Sequence, residues 1–214
     1  MNEKLLPCEE LLDILRPAYL PCSEFGKCPE ACWSPRTGYV PRGYLGARST
    51  AEDVRLVLVF AEPGDPQPGE VYSNERPDEM IAAVTDTAYR CFSNGQDLFH
   101  RNVRWFLSQA FPGLTFDDQL RHTWLTEGRL CSFTEEVGGR KDRRCADYYL
   151  ARQLDALPNA KMVAAGGKAQ EYLRRLKRPF TPCYAFAPPG ANHKPARPSW
   201  EKALSDLRIS TRLS

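Results

Sequence analysis

The run VRLVLVF, residues 54–60, constrains this chain most. It is a short Val- and Leu-rich stretch with one charge and no polar alternation, so a strand built from it is buried on both faces. It ends in AEPGDPQPGE, residues 61–70, where proline and glycine force a turn-rich loop. A strand covered on both sides belongs inside a parallel sheet with helices above and below. The rest of the sequence supplies those parts. Residues 77–91 read as a helix with Pro77 near its start, and residues 97–110 as a second helix with an apolar face. TWLTEGRLCSF, residues 123–133, reads as a second strand, residues 145–157 as a third helix, and KMVAAGG, residues 161–167, as a third strand. Residues 168–177 form a fourth helix, residues 182–190 hold a short fourth strand, and residues 199–209 close the chain as a helix. This alternation predicts an α/β fold of three layers, α/β/α, around a short, mostly parallel, four-stranded central sheet. Ligands of such sheets sit beyond the carboxyl ends of the strands, which directs attention to the loops 61–75, 127–144 and 187–198.

The 214 residues suit one domain, expected to span residues 1–214. With 29 Lys and Arg against 27 Asp and Glu, the net charge of +2 neither demands nor excludes a polyanionic partner, and it disfavours a broad DNA-wrapping surface. The start, MNEKLLPCEELLDIL, lacks a basic stretch followed by a long apolar run, and no segment approaches the roughly 18 apolar residues of a membrane span. The expectation is a cytoplasmic protein with no membrane partner, acting as a monomer.

Eight cysteines without a secretion signal point away from a disulfide framework. The first 50 residues are rich in loops and in cysteine. Cys28 and Cys32 form CPEAC, and Cys131 and Cys145 bracket a second loop. Two separated pairs at element boundaries can hold a four-iron–four-sulfur cluster or a structural zinc, with Cys22 a rival for a place in the first pair. The same spacing also suits eight isolated thiols. Cys91 and Cys183 lie in apolar settings, where buried thiols are common, and with Cys8 are read as non-ligands.

Four blocks in order resemble the uracil-DNA glycosylase superfamily, most closely its iron–sulfur branch of the family 4 type. They are CPEACWSPRTGYVPRG, LVLVFAEPGDPQPGE, WLTEGRLC followed by CADYYLARQL and MVAAGGKAQEYL, and ANHKPARPSWEKAL. The resemblance covers roughly residues 22–207. It implies Cys28, Cys32, Cys131 and Cys145 as ligands of a four-iron–four-sulfur cluster that staples residues 1–50 to the core, with Cys22 the alternative to one of the first two and zinc the alternative metal. It implies a DNA partner and hydrolysis of an N-glycosidic bond. The chain departs from the family where the pocket lies. Ala61, Glu62, Pro63 and Gly64 stand for Gly-Glu-Ala-Pro-Gly, Glu127 stands for the base-recognising asparagine, and His193, Lys194 and Pro195 stand for His-Pro.

Within that resemblance, breaking the glycosidic bond needs a carboxylate near the sugar, where positive charge develops. Glu62, at the strand end, is the first candidate and Asp65 the second. His193, with Asn192 beside it, is the candidate donor to the departing base. Tyr72 is placed to stack on a flipped base, while Lys194 and Arg197 are candidates for phosphate contacts, supported by the basic run RRLKR at residues 174–178. His100 and His122 are read as structural. An ionised Glu127 only accepts hydrogen bonds, which suits the amino group of cytosine and not the carbonyl of uracil. Glutamate also favours a protonated cytosine ring, a better leaving group. The expected substrate is therefore a modified cytosine, such as the glucosylated hydroxymethylcytosine of some phages, as in bacterial anti-phage defence. The competing expectations are a uracil-DNA glycosylase of base-excision repair, a non-catalytic iron–sulfur protein that binds nucleic acid, and a redox protein.

Overall fold

The central strand is the apolar run itself. In the computed structural model, which describes residues 5–28, 31–72, 76–132 and 144–207, it spans Leu56–Phe60 (β2), and all five residues are buried. Its neighbours are Thr123–Glu127 (β3) on one side and Lys161–Ala165 (β4) on the other, both parallel to it, and Thr181–Cys183 (β5) extends the sheet beyond β4. A fifth strand, Leu45–Gly46 (β1), pairs antiparallel with β3, giving the order β1–β3–β2–β4–β5. The fold is α/β as expected. The sheet, however, has five strands and is mixed, where four mostly parallel strands were expected.

The extra strand is two residues long and carries no periodic pattern. Gly46 makes it possible: its φ is 110°, and a Cβ there would stand 2.1 Å from the carbonyl oxygen of Thr123. Only glycine lets the backbone come so close.

Side chains of β2 alternate between two cores. Val57 and Val59, with Trp124 and Ala164, face one cluster. Leu56, Leu58 and Phe60, with Leu125, Val163 and Ala165, face the other. The first is covered by Glu9–Leu15 (α1) through Leu11 and Leu15, by Ala151–Asp155 (α5) through Leu154, and by Gly167–Arg175 (α6) through Leu173. The second is covered by Leu98–Ala110 (α3) through Phe106 and Leu107, by Phe116–Arg121 (α4) through Leu120, and by Ala196–Leu207 (α7) through Trp200. Pro77–Asn94 (α2) contributes to both, with Ile81 in the first and Phe92 in the second. It starts on Pro77 and stops where Gly95 takes the left-handed conformation that closes a helix.

Two helices lie outside the expected set, α1 and α4. The third expected helix begins as a π turn, Ala146–Leu150, before becoming α5. Residues 133–143, in the loop between Cys131 and Cys145, residues 73–75 of the first loop, and residues 208 and 209 of the expected last helix lie outside the described residues. Among the described residues, no helix is long and apolar enough to cross a membrane.

Gln153, on α5, is fully buried and accepts hydrogen bonds from Trp124 Nε1 at 2.9 Å and Thr126 Oγ1 at 2.7 Å. These fix β3, and hence the residues at its end, against the helix layer. Because Leu58 is fully buried at the centre of the sheet, Leu58→Ala should cost about 2–5 kcal/mol of stability. Chemical denaturation checks this, and a loss well below that range would contradict close packing at the centre of the sheet.

Candidate active site

A cavity of about 360 Å³ opens at the carboxyl ends of β2, β3 and β4, where Phe60, Glu127 and Ala165 reach its wall. Four phenylalanines give it apolar sides. Phe60 meets Phe99 edge to face at 5.0 Å and Phe186 at 6.1 Å, and Phe92 lies 5.8 Å from Phe99. Such rings offer flat faces to a flat ligand. The polar part of the wall comes from the loop after β2 and from the end of β3.

Arg42 shapes that loop. It is 8% exposed, and its Nη1 bonds both carboxylate oxygens of Glu70 at 3.1 and 3.2 Å. Its Nε and Nη2 reach Ser132 Oγ at 3.2 and 2.9 Å, and Nη2 also donates to the carbonyl of Gly64. Glu70 in turn accepts from the backbone N–H of Gln67 at 2.8 Å and from the Tyr72 hydroxyl. One guanidinium thus closes the turn after β2 onto the exit of β3. Arg42 and Glu70 were not among the residues expected at the site, although Arg42 and Gly43 fall within the first block of the resemblance.

Glu127 ends β3, opposite Phe60 of β2. It is 5% exposed, and its Oε2 is buried with no hydrogen-bond partner. Gly43 packs against it, so closely that a Cβ there would lie 2.4 Å from Glu127 Cγ. Burial, with the charge of Glu62 adding to it and Arg42 opposing, raises the Glu127 carboxyl well above the usual glutamate range. The direction of this shift favours the protonated acid over the acceptor-only carboxylate that was expected. A neutral acid offers one O–H donor and one acceptor.

Glu62 lines the same cavity, one-fifth exposed, and is paired with Lys168 Nζ from α6. Asp65 lies at the exposed rim, 3.5 Å from the Tyr39 hydroxyl. Tyr72 is buried in the cavity wall. Burial, with Glu70 accepting from the hydroxyl, raises the pKa of Tyr72, so it stays a phenol. Glu62, Asp65, Tyr72 and Glu127 are thus brought together. His100, read as structural, also reaches this cavity. Its Nδ1 lies 2.8 Å from Asp97 Oδ1, and its ring stands edge to face with Phe92 at 4.6 Å. Asp97 caps α3 by accepting the His100 N–H, the one local signal that could have placed both.

The other expected residues lie elsewhere. His193 is exposed and borders a separate cleft beside Tyr184 and Gly166, 6.0 Å from the Tyr184 ring, and does not line the main cavity. Asn192 and Lys194 flank it on the same exposed loop. Arg197 lies on α7 with its guanidinium 3.2 Å from the centre of the Trp105 ring and 3.5 Å from Glu201. The basic run is engaged within the chain: Arg175 pairs with Asp147 and Arg178 with Asp155.

A second, small apolar cavity collects cysteines. Cys22, Cys28, Cys131 and Cys145 all line it; Cys32 does not. The Cys32 backbone N–H instead donates to Ser132 at 3.1 Å. Cys22, the alternative to one member of the first pair, thus shares the cavity with Cys28, Cys131 and Cys145, and Cys32 does not. Backbone N–H groups point at two of these sulfurs, Leu130 N at 3.3 Å from Cys145 Sγ and Glu24 N at 3.4 Å from Cys22 Sγ, and Arg129 and Arg144 line the cavity. Burial pushes the Cys145 thiol up to about 12 and raises Cys131 too, with the neighbouring thiols adding to both. Among the described residues, no group of three or more His, Cys, Asp or Glu side chains is arranged to hold a single metal ion. Four thiols around one cavity with N–H donors on sulfur fit the all-sulfur donor set of an iron–sulfur cluster.

The sequence matches no model of a known protein family and no curated protein.

The buried neutral acid has a consequence for stability. Its folded pKa is raised, so it costs nothing below its unfolded pKa, near 4.5. Above that, stability falls as pH rises toward the folded value. Glu127→Gln removes this dependence. Denaturation midpoints should favour the variant at neutral pH, with the gap closing near the usual glutamate pKa. Parallel pH dependence in the two proteins would contradict the neutral state of Glu127.

Proposed function

We propose that this chain is a DNA glycosylase that hydrolyses the N-glycosidic bond of a flipped, non-standard base, a modified cytosine, and leaves an abasic site. One observation carries the reading: Glu62 and Glu127 share an aromatic-walled cavity at the carboxyl ends of the strands. A flat base taken out of the stack is received by such a cavity. The order of motifs that resembles the uracil-DNA glycosylase superfamily supports the same conclusion.

The chemistry divides between the two carboxyl groups. Breaking the bond leaves positive charge on the sugar and negative charge on the base. Glu62, paired with Lys168, supplies the carboxylate that faces the sugar and orients the attacking water. Glu127 meets the edge of the base. Tyr72 and the phenylalanines enclose its faces and exclude water, which strengthens both electrostatic contributions. Arg42 positions the loop that carries Glu62 and takes no direct part.

In this reading Cys22, Cys28, Cys131 and Cys145 hold a four-iron–four-sulfur cluster. Bound there, it supplies crosslinks between the N-terminal segment and the exit of β3. The N-terminal segment is held independently by α1, whose Leu11 and Leu15 are fully buried.

The test is mass-spectrometric identification of bases released from cellular DNA, uracil-containing DNA and DNA with glucosylated hydroxymethylcytosine. Release of the modified cytosine, with alkali-labile sites left behind, is expected, and Glu62→Gln should slow it about 10²–10⁴-fold. No release from any DNA would overturn the reading; release of uracil alone would assign the chain to uracil repair. For the cluster, Cys22→Ser should lose iron and visible absorbance while Cys32→Ser keeps them. The reverse pattern would return Cys32 to the ligand set, and zinc in place of iron would refute the cluster alone.

A further inference from the structure

Glu127 is left unexplained by packing alone. Its Oε2 has no partner, its residue is 95% buried by the measure of its 5% exposure, and it borders the cavity on which the glycosylase reading rests. A buried polar atom without a partner is costly, and such atoms call for an explanation.

We propose that Glu127 is the general acid of the reaction: its carboxylic O–H donates to ring nitrogen N3 of a cytosine-type base while its carbonyl oxygen accepts from the exocyclic amino group. This deepens the glycosylase reading and rests on it. Both hydrogen bonds run between the same two edges, and the arrangement stays matched after the proton moves, as a carboxylate facing a protonated ring. Uracil can also be met by a neutral acid, through its N3–H and O4. A carbonyl oxygen, however, is a far weaker base than a ring nitrogen lone pair, so the proton is not delivered. Selectivity in this account lies in activation of the leaving group, and only secondarily in binding.

The step balances. The bond between C1′ and N1 breaks, and its electron pair stays with the base. The proton of Glu127 passes to N3, so the base departs neutral. Water forms the new bond to C1′ and gives its proton to Glu62 or to solvent. Glu127 regains a proton from solvent when the base leaves. The charged groups acting on Glu127 are Glu62, from the loop after β2, and Arg42, from the segment before β1. Arg42 is already matched by Glu70, and Glu62 by Lys168. Asp65 at the rim and the Asp97–His100 pair of α3 line the same cavity. This balance, with burial foremost, favours the protonated form of Glu127.

The experiment is single-turnover base release across a pH series, from oligonucleotides carrying glucosylated hydroxymethylcytosine, cytosine or uracil. With the modified cytosine the wild-type rate should fall about tenfold per pH unit above the pKa of Glu127, and fall on the acid side only where Glu62 takes up a proton. Glu127→Gln keeps a donor and an acceptor but has no proton to give. It should bind the oligonucleotide as well as wild type, lose about 10²–10⁴-fold in rate and lose the alkaline fall. An oligonucleotide with the 3-deaza form of the base tests the wild-type protein directly, since carbon at that position takes no proton, and its release should be slow. A Glu127→Gln variant with wild-type rate, one that keeps the alkaline fall, or fast release of the 3-deaza base overturns the proposal while leaving the glycosylase reading intact. Release of uracil alone does the same. No release from any DNA overturns both.

Discussion

Arg42 carries a permanent charge into a place with little water, and its neighbours are arranged around that fact. A buried charge is tolerated only if it is paired and its remaining donors are used. Glu70 supplies the counter-charge, and Ser132 and the Gly64 carbonyl take the other N–H groups. Glu70 is itself saturated by Gln67 and Tyr72. Removing one partner of such a pair typically costs about 3–5 kcal/mol, because the other is stranded. The pair therefore fixes two loops that share no secondary structure, the turn after β2 and the exit of β3. It also sets the charge of the site. With Arg42 matched by Glu70, its attraction acts on Glu127 less strongly than burial and Glu62 do.

The sheet was legible where burial dictates residue type. VRLVLVF leaves no polar face, so its place at the centre follows from composition alone, and its neighbours announce themselves as shorter apolar runs. The antiparallel edge strand could not be read. Two residues have no period, and Gly46 enters the sheet through a close approach to Thr123 that only the folded chain reveals. α4 is six residues long, and its signal was local: Thr115 accepts the N–H of Asp118, a capping pair that sequence offers but a brief apolar face obscures. α1 was hidden by the prolines and cysteines around it, though Leu11, Leu12 and Leu15 show helical spacing.

The site divides in the same way. Glu62, Asp65 and Glu127 were found because each lies at or within a few residues of a strand end, where chain position and spatial position nearly coincide, and Tyr72 because it closes the turn-rich loop that follows β2. Arg42 and His100 arrive from other parts of the chain, and their proximity is a product of the topology. His193 was inferred from an irregular loop, yet that loop lies beyond β5 and opens on a different cleft. Spacing could not decide between Cys22 and Cys32, because both lie in a segment without regular structure. In the structure the Cys32 backbone joins the Ser132 carbonyl, and its side chain does not line the thiol cavity. The pull on the ionisation of Glu127 was out of reach for a deeper reason. A sequence shows the residue but not its burial, and here burial pushes the carboxyl pKa up.

The segment from Glu127 to Ser132 links the two cavities. Beyond the end of β3, Gly128 N–H still pairs with Phe60 and Arg129 N–H with Ala61. Arg42 N–H then takes the Leu130 carbonyl at 2.7 Å, and Cys32 N–H takes that of Ser132. Almost every step of this strap is thus fastened by backbone, with Glu127 at one end and Cys131 near the other. Gln153 fastens the strand that leads into it. A group that must hold a proton at a fixed point needs such support, since a small displacement would admit water and release the acid into its ordinary range. The thiol cavity lies at the far end of the same strap. Its packing anchors the exit of β3 from one side while Arg42 anchors it from the other, and Glu127 lies buried at the start of the strap that both hold.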